Sequence, residues 1–374
     1  MTSTTRRTFI AAGLATAAAA PFGWSGPAGA AVQLRLPRPT GPFSLGTVPL
    51  HLDDRVRGRE LMISIWYPAD HADRYPRAPW MLAAPLRELL VSADFDAGVA
   101  ASPLTAAHAG APVRRSGQGR PVVLFSHGAH DHRAGNTITV QELTSHGYVV
   151  VTVDHLGDAF SQLPDGRVMV PTDALGPQVF ADDVRFVLDQ LEVIATGHNP
   201  DVDRHPLPAG LARALDLRRV GMFGWSKGGT ATARVMLADR RVRAGISLDG
   251  PMLPTVAGRL DRPFLMVTAE MTRAAEPSVA AFWDQLHGWR RNIRAEGAIH
   301  GSYGDYQVLI PQLARATGMS REELRGWIGT LDPARALRIQ QAYPLAFFDR
   351  HLRHRPGHLL DGPSPAFPDV RFIP

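Results

Sequence analysis

The chain contains no cysteine and a single lysine, Lys227, among 40 Lys and Arg residues. Without cysteine there is no disulfide framework, so stability must come from a buried core. Aromatic residues make up 7% and charged residues 20% of the chain. No cluster of basic residues with interleaved aromatics occurs, which excludes the usual footprint of nucleic-acid binding. No internal repeat is present, so solenoid architectures are excluded. The formal charge of +5 reflects a small arginine excess. The one extended apolar stretch, Phe9–Ala20, is too short and too alanine-rich to be a good membrane span.

That stretch follows Thr5-Arg6-Arg7-Thr8 and precedes the small-residue pattern Ala28-Gly29-Ala30. Together they read as a twin-arginine export signal cleaved after Ala30, which predicts a secreted protein. Residues 31–374 then form one domain, with residues 70–118 as an insertion or cover. The hydrophobic content of 45% is ordinary for a globular protein.

Within residues 31–374, apolar runs alternate with segments of helical period. Strands are expected at 61–67, 121–125, 148–153, 220–223, 244–248 and 263–268, with a short polar edge strand at 291–296. Helices are expected at 86–91, 137–146, 179–195, 230–238, 279–287, 321–329 and 333–351. Residues 31–60 read as an irregular lead-in, and the proline-rich tail after His354 as loosely held. The alternation implies an α/β fold with a mostly parallel sheet covered on both faces.

One motif stands out against this background. Gly224-Trp225-Ser226-Lys227-Gly228 lies between an apolar run and a helix-capable segment. This is the strand–turn–helix setting of a nucleophile elbow, which holds a serine hydroxyl above a parallel sheet. The flanking glycines are needed because the turn brings two backbones too close for a Cβ.

A serine hydroxyl needs a histidine to take its proton, and the histidine needs an orienting carboxylate. In this architecture the chain order is Ser, acid, His. Among later histidines only His300 falls in a loop after the last expected strand, flanked by Gly297, Gly301 and Gly304. Two acids, Asp249 and Glu270, end successive strands, and residue chemistry alone leaves both open. The oxyanion requires two backbone N–H donors. Lys227, directly after the serine, and Ala129, in the loop after 121–125, are the candidates. His127, His130 and His132 with Asp131 offer metal-ligand chemistry. Their spacing, His-x-x-His-Asp-His, is not the His-x-His-x-Asp-His of metallo-β-lactamases, and no metal or cofactor is expected.

Several linked motifs resemble the plasma-type platelet-activating-factor acetylhydrolases and their bacterial α/β-hydrolase relatives. They are Leu124-Phe125-Ser126-His127-Gly128, Leu143-x-Ser145-His146-Gly147-Tyr148, Asp154-His155, the elbow, Gly245-Ile246-x-Leu248-Asp249 and Gly297-Ala298-Ile299-His300. The resemblance implies a metal-independent serine esterase of α/β-hydrolase fold with catalytic Ser226, Asp249 and His300. It favours Asp249 over Glu270, and Ala129 and Lys227 as oxyanion donors. It also implies small-molecule or lipid ester substrates with short acyl chains, met in solution or transiently at a lipid interface. Relatives of this type usually carry His before and an apolar residue after the nucleophile, where this chain has Trp225 and Lys227. Three alternatives share the fold: a polyester or cutinase-type hydrolase, an acyltransferase, and a catalytically silent binding protein.

Overall fold

The computed structural model describes residues 31–172 and 175–374; the export signal lies outside the described residues. An eleven-stranded sheet runs through the molecule. Its strands are β1 (Leu45–Asp54), β2 (Arg59–Pro68), β3 (Arg77–Pro79), β4 (Leu104–Ala109), β5 (Arg120–Ser126), β6 (Val149–Asp154), β7 (Leu215–Trp225), β8 (Val242–Leu248), β9 (Phe264–Thr268), β10 (Arg290–Ala295) and β11 (Val370–Ile373). Across the sheet the order is β11-β10-β9-β8-β7-β5-β6-β2-β1-β4-β3. The six strands from β10 to β6 are mutually parallel, and β2 and β11 join them antiparallel.

The major helices are α1 (Ala83–Ser92), α2 (Thr137–Ser145), α3 (Pro177–Ala195), α4 (Lys227–Ala238), α5 (Pro277–Asp284), α6 (Tyr306–Thr317), α7 (Arg321–Ile328) and α8 (Pro333–Leu352). Successive residues of the buried strands serve opposite faces, as a pleated strand requires. Val122 and Leu124 join a core with α3, α4 and α5, including Val184, Leu188, Val235 and Phe282. Val123 and Phe125 join a second core with α2 and α8, including Leu143, Tyr343 and Phe347. Strands buried on both faces read as continuous apolar runs, which is why β5 and β6 stand out in the sequence.

Three expectations need correction. The supposed lead-in contains β1, a ten-residue strand paired along its length with β2. Its inward residues Val48, Leu50 and Leu52 alternate, but Gly46 and Pro49 mask the pattern. Pro49 is tolerated because β4 flanks only Leu45–Thr47, leaving that stretch an edge. The tail is not loose: residues 370–373 form β11, so β10 is not an edge strand. A helix went unforeseen: α6 carries Pro311 inside it, a residue that ordinarily argues against a helix. Residues 70–118 divide between β3 and β4 at the sheet edge and α1, whose Leu86 and Leu89 pack in a smaller core with Leu309 and Leu313 of α6.

Candidate active site

The site lies where the parallel strands end. At the end of β7 the chain turns sharply into α4, and Ser226 takes φ +53° and ψ −120°, a conformation costing a non-glycine residue on the order of 1–3 kcal/mol. The flanking glycines are sterically required. A Cβ on Gly224 would stand 2.1 Å from the Gly228 carbonyl oxygen, and one on Gly228 2.0 Å from that of Ser126. The serine is left partly exposed.

His300 follows β10 and opens a short 3₁₀ turn, His300–Tyr303, rather than an open loop. Its Nε2 is 2.8 Å from Ser226 Oγ. Its Nδ1 is 2.7 Å from Asp249 Oδ2. Asp249, at the end of β8, is fully buried and accepts the N–H groups of Ala269 and Met271 at 2.6 and 2.9 Å. Glu270 also donates its backbone N–H to Asp249, at 3.2 Å, while its own side chain is exposed. The imidazole therefore sits between Ser226 and Asp249, with the exposed Glu270 carboxylate beside that group.

Trp225 holds the histidine from below. Its Nε1 donates to the His300 carbonyl at 2.8 Å, and the two rings are 5.0 Å apart. Asp305, five residues on, accepts the N–H groups of Thr137 and Ile138 and the indole N–H of Trp80. It thereby caps α2, whose own N-cap residue Asn136 makes no side-chain cap bond. The His300 segment is thus tied to the helix that follows the Ala129 loop.

The N–H groups of Ala129 and Lys227 have no hydrogen-bond partner among the described residues. Ala129 precedes His130, whose φ is +53°; Lys227 is the first residue of α4.

The histidine-rich loop does not converge. His127 Nδ1 faces the Gly128 carbonyl and its Nε2 accepts the His155 N–H. His132 Nε2 lies 3.1 Å from the Tyr306 hydroxyl, and His130 lies beside Asp158. Burial holds the His132 imidazole down to about 3, so it is neutral. Among the described residues, only two groups bring three ligand-type side chains together: Asp249/Glu270/His300, and Asp201/Asp203/His205 near the surface.

A second serine–histidine–aspartate chain lies beneath the site, unforeseen because its members are remote in sequence. Ser126 Oγ is 2.8 Å from His155 Nε2, and His155 Nδ1 is 3.0 Å from Asp183 Oδ2. All three are wholly buried. Asp183 also receives two parallel bonds from Arg59 and one from Arg57, each 2.8 Å. Burial opposes its charge, but His155 and Arg59 outweigh that and hold it well below the usual carboxylate range. A cavity of about 590 Å³ lies apart, lined by Met62, Trp66, Trp80 and Phe160 among others; none of Ser226, Asp249 and His300 forms its wall.

A mostly parallel sheet with covering helices and a serine at a strand–helix elbow define the class as α/β-hydrolases. The comparisons with known proteins narrow this. Residues 28–161 and 184–358 match the model of the family described as platelet-activating factor acetylhydrolase, isoform II, and the chain belongs to that family. It is 27% identical over 384 residues to a protein of Arthroderma benhamiae described as a probable 1-alkyl-2-acetylglycerophosphocholine esterase, covering 90% of this chain and 93% of the relative. It is 23% identical to the platelet-activating factor acetylhydrolase of Cavia porcellus, covering 85% and 78% respectively. A solved ferulic acid esterase from Streptomyces cinnamoneus superposes with a TM-score of 0.77 and 34% identity, over 92% of this chain and all of the other. The protein is a carboxylic ester hydrolase.

Proposed function

We propose that the chain is an exported serine esterase in which Ser226 is the nucleophile, His300 the general base and Asp249 the orienting acid. The observation that carries this reading is the pair of bonds to His300, 2.8 Å from Ser226 and 2.7 Å from Asp249. With Nδ1–H donated to Asp249, Nε2 presents a lone pair to the serine hydroxyl. The serine attacks the ester carbonyl while His300 takes its proton. The N–H groups of Ala129 and Lys227 then receive the oxyanion, helped by the positive end of the α4 dipole. His300 returns its proton to the leaving alcohol, and the same base activates the water that frees the acid.

The substrates we propose are short-chain acyl esters and phospholipid-like esters, in keeping with the names of the family relatives. A second reading, aromatic hydroxycinnamoyl esters, is favoured by the 34% identity to the ferulic acid esterase. An ester panel decides: p-nitrophenyl acetate to octanoate, an acetyl phospholipid with and without vesicles, and methyl ferulate. The first reading predicts the highest kcat/KM on the acetyl esters. A kcat/KM for methyl ferulate tenfold above all of them establishes the second.

A further inference from the structure

The mechanism above uses only the backbone of Lys227, the chain's single lysine. Its side chain is 16% exposed and turns inward, where the ammonium meets Oδ2 of Asp158, a carboxylate with no exposure. The ring of Phe180 lies 5.1 Å from the ammonium, close enough for a cation–π contact. The other oxygen of Asp158 accepts the backbone N–H of His130 at 2.7 Å. His130 directly follows Ala129 and holds a left-handed φ of +53°, which that bond helps to fix. One buried carboxylate thus grips both segments that carry the unpartnered N–H groups: the Ala129 loop and the start of α4.

Such a tether has a cost. A bare carboxylate beside the place where the ester oxygen turns negative opposes the transition state, most strongly where water is excluded. An ammonium on the same carboxylate removes that opposition. We propose that Asp158 and Lys227 are a positioning pair for the oxyanion pocket: Asp158 sets the spacing of the two N–H donors, and the Lys227 side chain neutralises it. The inference rests on the Ser226 reading, and it assigns the lysine side chain a role apart from its N–H.

A buried ion pair that served folding alone would lower stability when broken, whatever happened to kcat. The test therefore separates charge from tether. Lys227→Met leaves Asp158 without its ammonium, facing only the His130 side chain and backbone N–H, and kcat on p-nitrophenyl acetate is expected to fall about 100-fold with KM within threefold. Lys227→Met/Asp158→Asn removes the charge yet keeps an oxygen for the His130 N–H, and kcat returns to within about tenfold of the parent. Lys227→Met/Asp158→Ala removes charge and tether together, and kcat stays low. The affinity for phenylboronic acid, which mimics the oxyanion, follows kcat across the series. Lys227→Arg keeps the cation, and its kcat exceeds that of Lys227→Met by at least about tenfold. Should Lys227→Met fail to fold, Lys227→Arg, Asp158→Asn and the two double variants carry the same comparison. A Lys227→Met enzyme with kcat within threefold of the parent, or an Asn double variant no more active than its Ala counterpart, overturns the proposal. Failure of the Ser226 reading is distinct, since the parent enzyme would then not be labelled at Ser226 by a fluorophosphonate.

Discussion

The molecule holds two serine–histidine–aspartate chains of almost the same dimensions. Ser226–His300–Asp249 has separations of 2.8 and 2.7 Å, and Ser126–His155–Asp183 of 2.8 and 3.0 Å. Distance alone does not separate them; their settings do. Ser226 stands partly exposed at an elbow with a strained backbone, near two unpartnered N–H groups. Ser126 ends β5 in regular strand pairing and is wholly buried. Asp249 is held by backbone N–H groups, whereas Asp183 is neutralised by Arg57 and Arg59. His155 is further pinned by stacking on Phe180 at 3.7 Å. The lesson is that a hydrogen-bonded serine becomes a nucleophile only with an approach path and an oxyanion pocket. Ser126 is wholly buried, so the inner chain offers no approach path, and its hydrogen bonds join the end of β5, the segment after β6 and α3.

The sharpest way to break this comparison is to truncate each serine. Ser226→Ala is expected to lower kcat on p-nitrophenyl acetate by at least about 10⁴-fold, as removal of a nucleophile does. Ser126→Ala should leave kcat within about threefold and lower the melting temperature instead. The acids give the next contrast. Asp249→Asn disturbs the His300 tautomer and should cost about 10⁴-fold in kcat, and Glu270→Gln less than threefold. Asp183→Asn should act on stability, by about 3 kcal/mol in urea unfolding, because the half-buried Arg59 loses its carboxylate and Arg57 keeps only Asp54. A smaller effect is expected from Trp225→Phe, which deletes one bond to the His300 carbonyl and should lower kcat about threefold to tenfold, in line with the net value of a hydrogen bond.

The effect least tied to catalysis concerns pH and Asp131, next to the Ala129 loop. Burial pushes its carboxyl up to about 7, against the opposing bond from Tyr306, and its Oδ2 is buried without a partner. An aspartate in an unfolded chain ionises near 3.9. Between those values the folded state binds the extra proton, so this residue's contribution to stability falls as pH rises from about 4 to about 7. Asp131→Asn removes that dependence. The variant should melt higher than the parent at pH 8, with the difference shrinking at pH 4 in parallel thermal melts.

How much of this was legible in the sequence depended on whether the signal was local. The elbow and the apolar runs of β5 and β6 declare themselves within a few residues. The turn glycines are fixed by contacts that any residue with a Cβ would violate. β1 was hidden because proline at an edge looks the same as proline in a loop. β11 was hidden because its pairing partner lies far back in the chain. Asp249 and Glu270 end adjacent parallel strands, so residue chemistry gave no ground to choose. What separates them in space is that His300 Nδ1 meets the carboxylate of one, while the other contributes a backbone N–H. Asp158, Asp183 and His155 carry no local mark, since partners 28 or 69 residues away define them. The resemblance motifs Asp154-His155 and Ser126-His127-Gly128 were the available pointer to that inner network.

Covalent labelling identifies the nucleophile itself. After reaction of the intact protein with a fluorophosphonate, peptide mapping should find the adduct on Ser226 alone, with esterase activity lost in proportion to its occupancy. An adduct on Ser126, or complete loss of activity with Ser226 unmodified, would exclude Ser226 as the nucleophile.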